Sequence, residues 1–304
     1  MSIIDSTKTI VGLGKGLHDS SVCASFNGEI KYAKYERQFY VKHGQAPEAW
    51  YWEVLKKWGI NYPDFLVYTD QGDIGLTPRL PANDEPYIKI NNNYYLLDHH
   101  LAHLWSNIEF DESKQAVCID GRGSGNNSIL IKTDKLYRFK AYTPAIVFIR
   151  LGQYMGLIKP EEFGNAAGKV MGLISYGKCD EALYQKLKNL PLEHVSNFCY
   201  IAFKENNKEW QNILATVDKV CFDFVKTVFL KTDIKKEIFY SGGVALNVQW
   251  NTLLHKIGYC LNINPAPYDG GLSIGAVRWA HHFLGIKQPS FKNFPYIQEP
   301  YDNN

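Results

Sequence analysis

One local pattern occurs twice in this chain, and it limits the possible folds more than any other feature. Residues 9–14 read as a buried strand that ends in a glycine turn; 21–26 alternate as a second strand; Asn27-Gly28 is a strong hairpin signal; and 29–35 return as a third strand. The layout begins again at 116–119, an apolar strand entering the turn Asp120-Gly121-Arg122-Gly123-Ser124-Gly125. A strand at 128–132, a turn at Thr133-Asp134-Lys135 and a strand at 136–141 follow. Two such units, each followed by helices, predict a duplicated topology: two lobes facing each other across a cleft. Glycine at the turns lets backbone amides approach phosphate oxygens closely.

The remaining pattern fills in around these units. Helical periods are expected near 47–58, 145–158, 181–189, 209–231, 245–257 and 272–284, and short strands at 65–68, 94–97, 238–240 and 259–263. The segment through Pro78, Pro81 and Pro86 reads as loop, and the tail from Lys287 onward as a surface wrap. The expected division is a first lobe over 1–115, a second over 116–286 and a tail over 287–304. The helix near 272–284 is the element able to pack back on the first lobe.

Bulk properties exclude several classes. With 304 residues and 45% hydrophobic content the chain can bury a sizeable core. A net charge of +2 gives no global attraction to nucleic acid or membrane, so any basic surface must be local. No apolar run approaches the roughly 20 residues needed to span a bilayer, and the N-terminus has no secretory pattern. The six cysteines form no C-x-x-C pair and read as reduced thiols. These features point to the cytoplasm of a bacterium or a virus-infected host cell. The abundance of Tyr, Lys, Asn and Ile fits an AT-rich genome.

The run Asp98-His99-His100-Leu101-Ala102-His103 carries the sharpest chemical signal. On a helix N-capped by Asp98, His99 and His103 lie four apart on one face, a spacing that suits a transition metal or a packed histidine couple. His100 projects about 100° away and is the weaker candidate. A third ligand must come from elsewhere. Asp120, with Gly121, Arg122 and Gly123, reads as a phosphate cradle turned toward the metal. Gly168-Lys169 and Gly242-Gly243 through Asn247 precede helices and read as anion sites. His18 and Asp19 follow the first glycine turn as acid–base or metal-supporting groups. The mixed stretch from Lys31 to His43 is either an ordinary strand with a solvated face or an acceptor-binding lip using Arg37, Lys42 and His43.

In order and spacing, these motifs resemble the O-carbamoyltransferases of the nodulation-protein and antibiotic-tailoring type. The matching pieces are His18-Asp19-Ser20, Glu36-Arg37 with Lys42-His43, the H-H-L-A-H run at 99–103, I-D-G-R-G at 119–123, G-K-V-M-G-L-I-S-Y-G at 168–177, S-G-G-V-A-L-N at 241–247 and D-G-G-L-S-I-G-A at 269–276. The fold also resembles the catalytic subunit of the tRNA threonylcarbamoyladenosine synthases and, more distantly, actin, sugar kinases and the Hsp70 ATPase. The resemblance implies an α/β, two-lobed, actin-like (ASKHA) fold with duplicated mixed-sheet subdomains and a central cleft. It implies iron or another divalent ion on His99, His103 and Asp269, with Asp19 as catalytic base. It places the adenylate on the turns at 121–123, 168–169 and 242–243 and on Asn247. In such proteins carbamoyl phosphate and ATP give carbamoyl adenylate, and the carbamoyl group passes to a hydroxyl. The usual relative carries a C-terminal domain that forms the adenylate, and this sequence ends soon after residue 276. A separate protein could therefore supply the intermediate, or this domain could use carbamoyl phosphate itself. Ser124 stands where relatives often carry an acidic residue.

The expected function is metal-dependent O-carbamoyl transfer. The acceptor favoured is a nucleobase hydroxymethyl group, such as 5-hydroxymethylcytosine in DNA, flipped out of the stack. A sugar or small metabolite is the close competitor. A non-catalytic nucleotide-binding scaffold and a sugar kinase of the same fold are the other readings.

Overall fold

The computed structural model describes residues 8–16, 18–69, 86–158, 166–204 and 210–297. The loop expected through Pro78 and Pro81 lies outside the described residues, as does the end of the tail. Two mixed sheets organise the molecule. The first contains β1 (Ile10–Gly14), β2 (Ser21–Phe26), β3 (Glu29–Lys34), β4 (Phe65–Thr69), β5 (Tyr87–Lys89) and β6 (Tyr94–Leu97), in the order β3-β2-β1-β4-β6-β5. The second contains β7 (Gln115–Ile119), β8 (Ile129–Lys132), β9 (Leu136–Phe139), β10 (Glu237–Ser241) and β11 (Cys260–Ile263), in the order β9-β8-β7-β10-β11.

The predicted duplication is present strand for strand. In each sheet the first three strands form an antiparallel meander, and two later strands add in parallel on the other side of the first. The first hairpin closes through Asn27 and Gly28, both with left-handed φ (51° and 78°), as a tight two-residue turn requires. The edge strand β5 was not expected from sequence. Three residues are too few to show a period, and antiparallel pairing with β6 defines it.

The helices are α1 (Tyr35–Phe39), α2 (Glu48–Lys57), α3 (His99–Trp105), α4 (Pro144–Tyr154), α5 (Ala166–Ile174), α6 (Glu181–Leu187), α7 (Leu192–Lys204), α8 (Trp210–Phe229), α9 (Val248–Lys256) and α10 (Leu272–Phe283). Short α1 occupies part of the 31–43 stretch, so only its first half is strand. Helix α7 escaped the sequence reading although Leu192, Val195, Cys199 and Ala202 keep a helical period. Phe198, Tyr200, Ile201 and Phe203 make its opposite face apolar as well and blur the signal. The turn at 242–243 leads first into a 3₁₀ turn (Gly243–Leu246), so α9 starts later than expected, at Val248.

Period-2 burial assigns each sheet two covered faces. Val11, Leu13, Val22, Ala24 and Leu66 pack beneath α2 with Trp50, Tyr51, Val54 and Leu55. Ile10, Phe65 and Val67 point the other way, toward α3 and α10. In the second sheet Val117, Ile119, Ile129, Ile131, Ile238 and Tyr240 face the core beneath α4, α5, α7, α8 and α9, whereas Ala116, Cys118, Leu130 and Phe239 face α3. Helices α3 and α10 are thus a middle layer between the sheets. Their contact is close because α10 carries Gly275: a Cβ there would collide with Ala102 O of α3. Gly12 of β1 meets Ser273 O of α10 in the same way, which places it in packing rather than in phosphate contact. Helix α10 also packs on β2 and β4, so the chain's last helix returns to the first sheet.

Two outcomes follow. Gly275→Val forces the backbones apart, and urea unfolding should show a loss of about 3 kcal/mol or more, the upper range for overpacking. Asp218 on α8, which accepts from Trp250 Nε1 at 3.0 Å, is pushed up to about 6 by burial, partly offset by that bond. A carboxyl raised on folding contributes stability that is complete below its unfolded value of 3.8 and is lost as pH rises through 6. Asp218→Asn should therefore be more stable than the native protein at pH 7.5, with the advantage vanishing at pH 4 in parallel melts.

Candidate functional site

The middle layer delivers the first half of the site. Asp98 caps α3, its Oδ1 accepting from Leu101 N at 2.8 Å, as predicted. Ser124 Oγ accepts from His99 N at 2.9 Å, so it anchors the start of α3 rather than contacting a phosphate. With the helix fixed at both points, His99 Nε2 and His103 Nε2 converge to 3.1 Å. Asp120 Oδ2, at the end of β7, lies 3.1 Å from the former and 2.9 Å from the latter. Asp269 Oδ1, in the turn before α10, lies 3.6 and 3.4 Å from the same two nitrogens. These four ligand atoms all lie within 4.8 Å of one another, and both histidines are buried.

The donor set fits a divalent cation. Two imidazole nitrogens and two carboxylate oxygens suit iron, zinc or manganese, and two carboxylates balance a 2+ charge in a buried place. Asp120, expected in a cradle turned toward the metal, stands directly beside the two imidazoles. The protein's own charges show the same demand. Burial alone would lower His103, but Asp120 and Asp269 outweigh it and push the imidazole up to about 9. Burial likewise opposes ionisation of Asp120, yet His103 and His99 hold it well below the usual carboxylate range. His100 is fully buried, its pKa lowered chiefly by burial, and neither ring nitrogen has a hydrogen-bond partner. It packs beneath Gly123, where a Cβ would lie 2.6 Å from the His100 ring.

The second half comes from the first sheet. Asp19 is buried, and its Oδ2 lies 3.0 Å from His18 Nδ1 and 2.8 Å from His43 Nδ1. Its Oδ1 lies 3.1 Å from Lys34 Nζ, which donates to Glu36 Oε1 (2.7 Å) and Tyr268 Oη (2.9 Å). Burial would raise the Asp19 carboxyl, but His18, His43 and Lys34 hold it far below its ordinary value. Asp19, expected as the proton acceptor, is here contacted by both imidazoles and by the Lys34 ammonium. His18 is opposed by burial, yet Asp269 and Asp19 push it up to about 9. Its Nδ1 lies 3.8 Å from Asp269 Oδ2, so Asp269 touches both halves.

Between the halves opens a cavity of about 1000 Å³. It is lined by His18, Asp19, Lys42, His43, Asp120, Gly121, Arg122, Gly168, Lys169, Gly243, Asn247 and Asp269 among the expected residues. Five expected residues do not line it, and the buried His99 and His103 are two of them. Gly123 sits against the histidines. Gly242 (φ 88°) packs on Ile119 O, where a side chain would collide. Arg37 is exposed (69% of its side chain) beside Glu36. Asn247 caps α9 through Oδ1, which accepts from Gln249 N and Trp250 N at 3.2 Å, leaving its amide group for a ligand.

The sequence reading missed Arg150 of α4, whose signal was a lone cation in an otherwise apolar helix. It missed Lys34, whose burial no local pattern reveals. Among the described residues, no carboxylate pairs with Arg122, Arg150 or Lys42, while Lys169 Nζ donates to Leu157 O at 2.7 Å. Ile146, Ile149, Met171, Val244 and Leu246 supply an apolar wall. A cluster able to hold a cation, basic side chains and an apolar wall in one cleft suit a nucleotide.

The sequence model described as the carbamoyltransferase N-terminus matches residues 87–278. No curated protein sequence is significantly similar to the chain. Among solved structures, the activator of the 2-hydroxyisocaproyl-CoA dehydratase from Clostridium difficile, with bound ADPNP, is similar at a TM-score of 0.58. Identity is 13%, over 93% of this chain and 99% of that one. Component A of the (R)-2-hydroxyglutaryl-CoA dehydratase of Acidaminococcus fermentans gives a TM-score of 0.57 at 13% identity, over 91% and 99%. Full-length HypF in its phosphate- and nucleotide-bound form gives 0.52 at 14% identity, over 93% of this chain and 57% of that one. At such identities the likeness is one of fold, the two-lobed actin-like architecture. No helix among the described residues is long and apolar enough to cross a membrane.

Replacing His103 by Ala removes one of two imidazole donors. Purified His103→Ala protein should retain under a tenth of the divalent metal bound by the native protein, read by elemental analysis after desalting. Retention at the native level would count against the cluster as a metal centre.

Proposed function

The chain belongs to the carbamoyltransferase N-terminus family, and on that footing we propose that it transfers a carbamoyl group from carbamoyl adenylate, made from carbamoyl phosphate and ATP, to a hydroxyl acceptor. The observation that carries this reading is that the His99–His103–Asp120–Asp269 cluster, through its two carboxylates, and the His18–Asp19–His43 cluster border one cavity and meet at Asp269. A cation held by the first cluster, iron by resemblance to the family, would stabilise the negative charge that gathers on the phosphate oxygens as the carbamoyl group leaves.

The protein's own residues account for the remaining needs. Arg122, Arg150 and Lys169 line the cavity near the metal cluster and can neutralise phosphate charge. The amides at Gly121, Gly168 and Gly243 border the same space. The apolar wall offers the base a dry surface, and Asn247 a polar contact. His18, fixed by Asp19 and beside Asp269, borders the space in which the carbamoyl group would sit. Holding donor and acceptor in one cleft supplies orientation and excludes water.

For the acceptor, the rim favours a planar group carried on a phosphodiester. Lys42 and His43 line the mouth, and the adjoining Phe39, Tyr40 and Val41 are exposed, Tyr40 to 88%. Aromatic and cationic groups side by side suit a nucleobase with its backbone, and a 5-hydroxymethylcytosine flipped out of DNA presents the required hydroxyl. A sugar or small metabolite would use the same inner cavity without the rim.

The test incubates metal-loaded protein with carbamoyl phosphate and ATP, or with preformed carbamoyl adenylate, and with each acceptor class. The expected result is a gain of about 43 Da on the hydroxymethylated base, the mass of carbamoyl replacing hydrogen. Product from preformed adenylate alone would mean that a separate protein supplies the intermediate. Gain on sugars only would move the acceptor class, and no gain on any hydroxyl with either donor would remove the reading. Arg150→Ala should raise the KM for the nucleotide donor about tenfold or more, as expected for loss of a charge-assisted contact.

A further inference from the structure

We propose that His43, oriented by Asp19, is the group that removes the proton from the acceptor hydroxyl. The proposal rests on the carbamoyl-transfer reading above and adds a residue and a division of roles to it.

Asp19 borders the cavity, but both of its oxygens are already engaged. Its side chain is 3% exposed, and it lies behind two rings and an ammonium. An ionised carboxylate only accepts, so the bonds to Oδ2 require N–H at Nδ1 of both His18 and His43. A neutral His43 with its proton on Nδ1 carries its lone pair on Nε2, and this ring lines the cavity with 26% of its side chain exposed. The same His18 Nδ1 also lies 3.8 Å from Asp269 Oδ2, which puts this ring on the side of the His99–His103 cluster. One carboxylate thus orients two imidazoles: His18 on the side of that cluster, His43 as acceptor at the mouth.

The backbone is built for this pair. Asp19 and His43 both adopt left-handed φ values, 54° each, which a non-glycine residue holds only when its surroundings enforce it. The two segments are stitched together. Ser20 N donates to Gly44 O at 3.2 Å, Ala46 N to Ser20 Oγ at 2.9 Å, and His43 N to Glu36 Oε2 at 2.8 Å. A second cation in the His18–Asp19–His43 cluster would have to share Asp19 with the buried ammonium of Lys34 at 3.1 Å, which already supplies the positive charge.

In the step, the acceptor oxygen forms a bond to the carbamoyl carbon as its proton passes to His43 Nε2. The bond from that carbon to the bridging phosphate oxygen breaks, and AMP leaves with the electron pair. The proton on His43 then passes to water at the cavity mouth. Asp19 stays ionised throughout and acts as a positioning residue.

The test compares native protein with His43→Ala, His43→Gln and Asp19→Asn, using preformed carbamoyl adenylate and the acceptor that the native protein modifies. His43→Gln keeps a hydrogen bond to Asp19 without a base and covers the case in which the Ala variant folds poorly. Both His43 variants should lose about 100-fold or more in kcat, the usual size of general-base catalysis, with donor KM and metal content near native. Added imidazole should restore at least tenfold of the His43→Ala rate and none of the Asp19→Asn rate. Native kcat in the His43 variants, or a lost metal equivalent, overturns the proposal while the carbamoyl-transfer reading stands. A native protein that carbamoylates no hydroxyl removes both.

Discussion

The contact between α3 and α10 governs the site. Gly275 brings the backbone of one helix onto that of the other at Ala102, and the two ends of that contact are chemical. His99 and His103 lie on α3, and Asp269 stands in the turn that opens α10. A wider crossing would leave Asp269 out of reach of the imidazoles it now approaches at 3.4 and 3.6 Å. The same layer is pressed on both sides by the inward faces of the two sheets. Packing therefore sets the geometry of the cluster, with its two imidazoles on a buried helix and its two carboxylates in turns at the ends of packed elements.

Charge balance follows from that burial. Two carboxylates beside two buried imidazoles favour an added positive charge, met by protons or by a divalent ion. The Asp19 cluster meets the same demand differently, with Lys34 as a permanent cation and two ring N–H groups as donors. The cleft thus holds one carboxylate pair suited to a metal and one carboxylate suited to orienting histidines. Asp269 links them through its two oxygens, so charge on one side is felt on the other.

Much of this was legible in the chain before folding. Strand alternation, the Asn27-Gly28 hairpin and the repeated glycine turns indicated two similar sheets, and the sheets have that order. The H-x-x-x-H spacing with an Asp cap indicated a helix with two rings on one face. What escaped was either too short for a period, as in β5, or masked by apolar residues on both faces, as in α7. Gly123 and Gly242, expected at the phosphate, lie against a neighbouring ring and a neighbouring backbone. A glycine in sequence reports that something comes close, and not what it is.

By itself the sequence determined the periodic elements, their duplication and the residue types available for chemistry, because these depend on contacts a few residues apart. Only the tertiary structure decided the partnerships: Asp120 beside His99 and His103, Lys34 and His43 on Asp19, Arg150 in the cavity wall and Arg37 outside it. The partners stand 17 residues apart for His103 and Asp120, 24 for Asp19 and His43, and 234 for Lys34 and Tyr268. Such pairs meet only when sheets and helices have packed, since the packing of whole elements, not local preference, fixes where their side chains point.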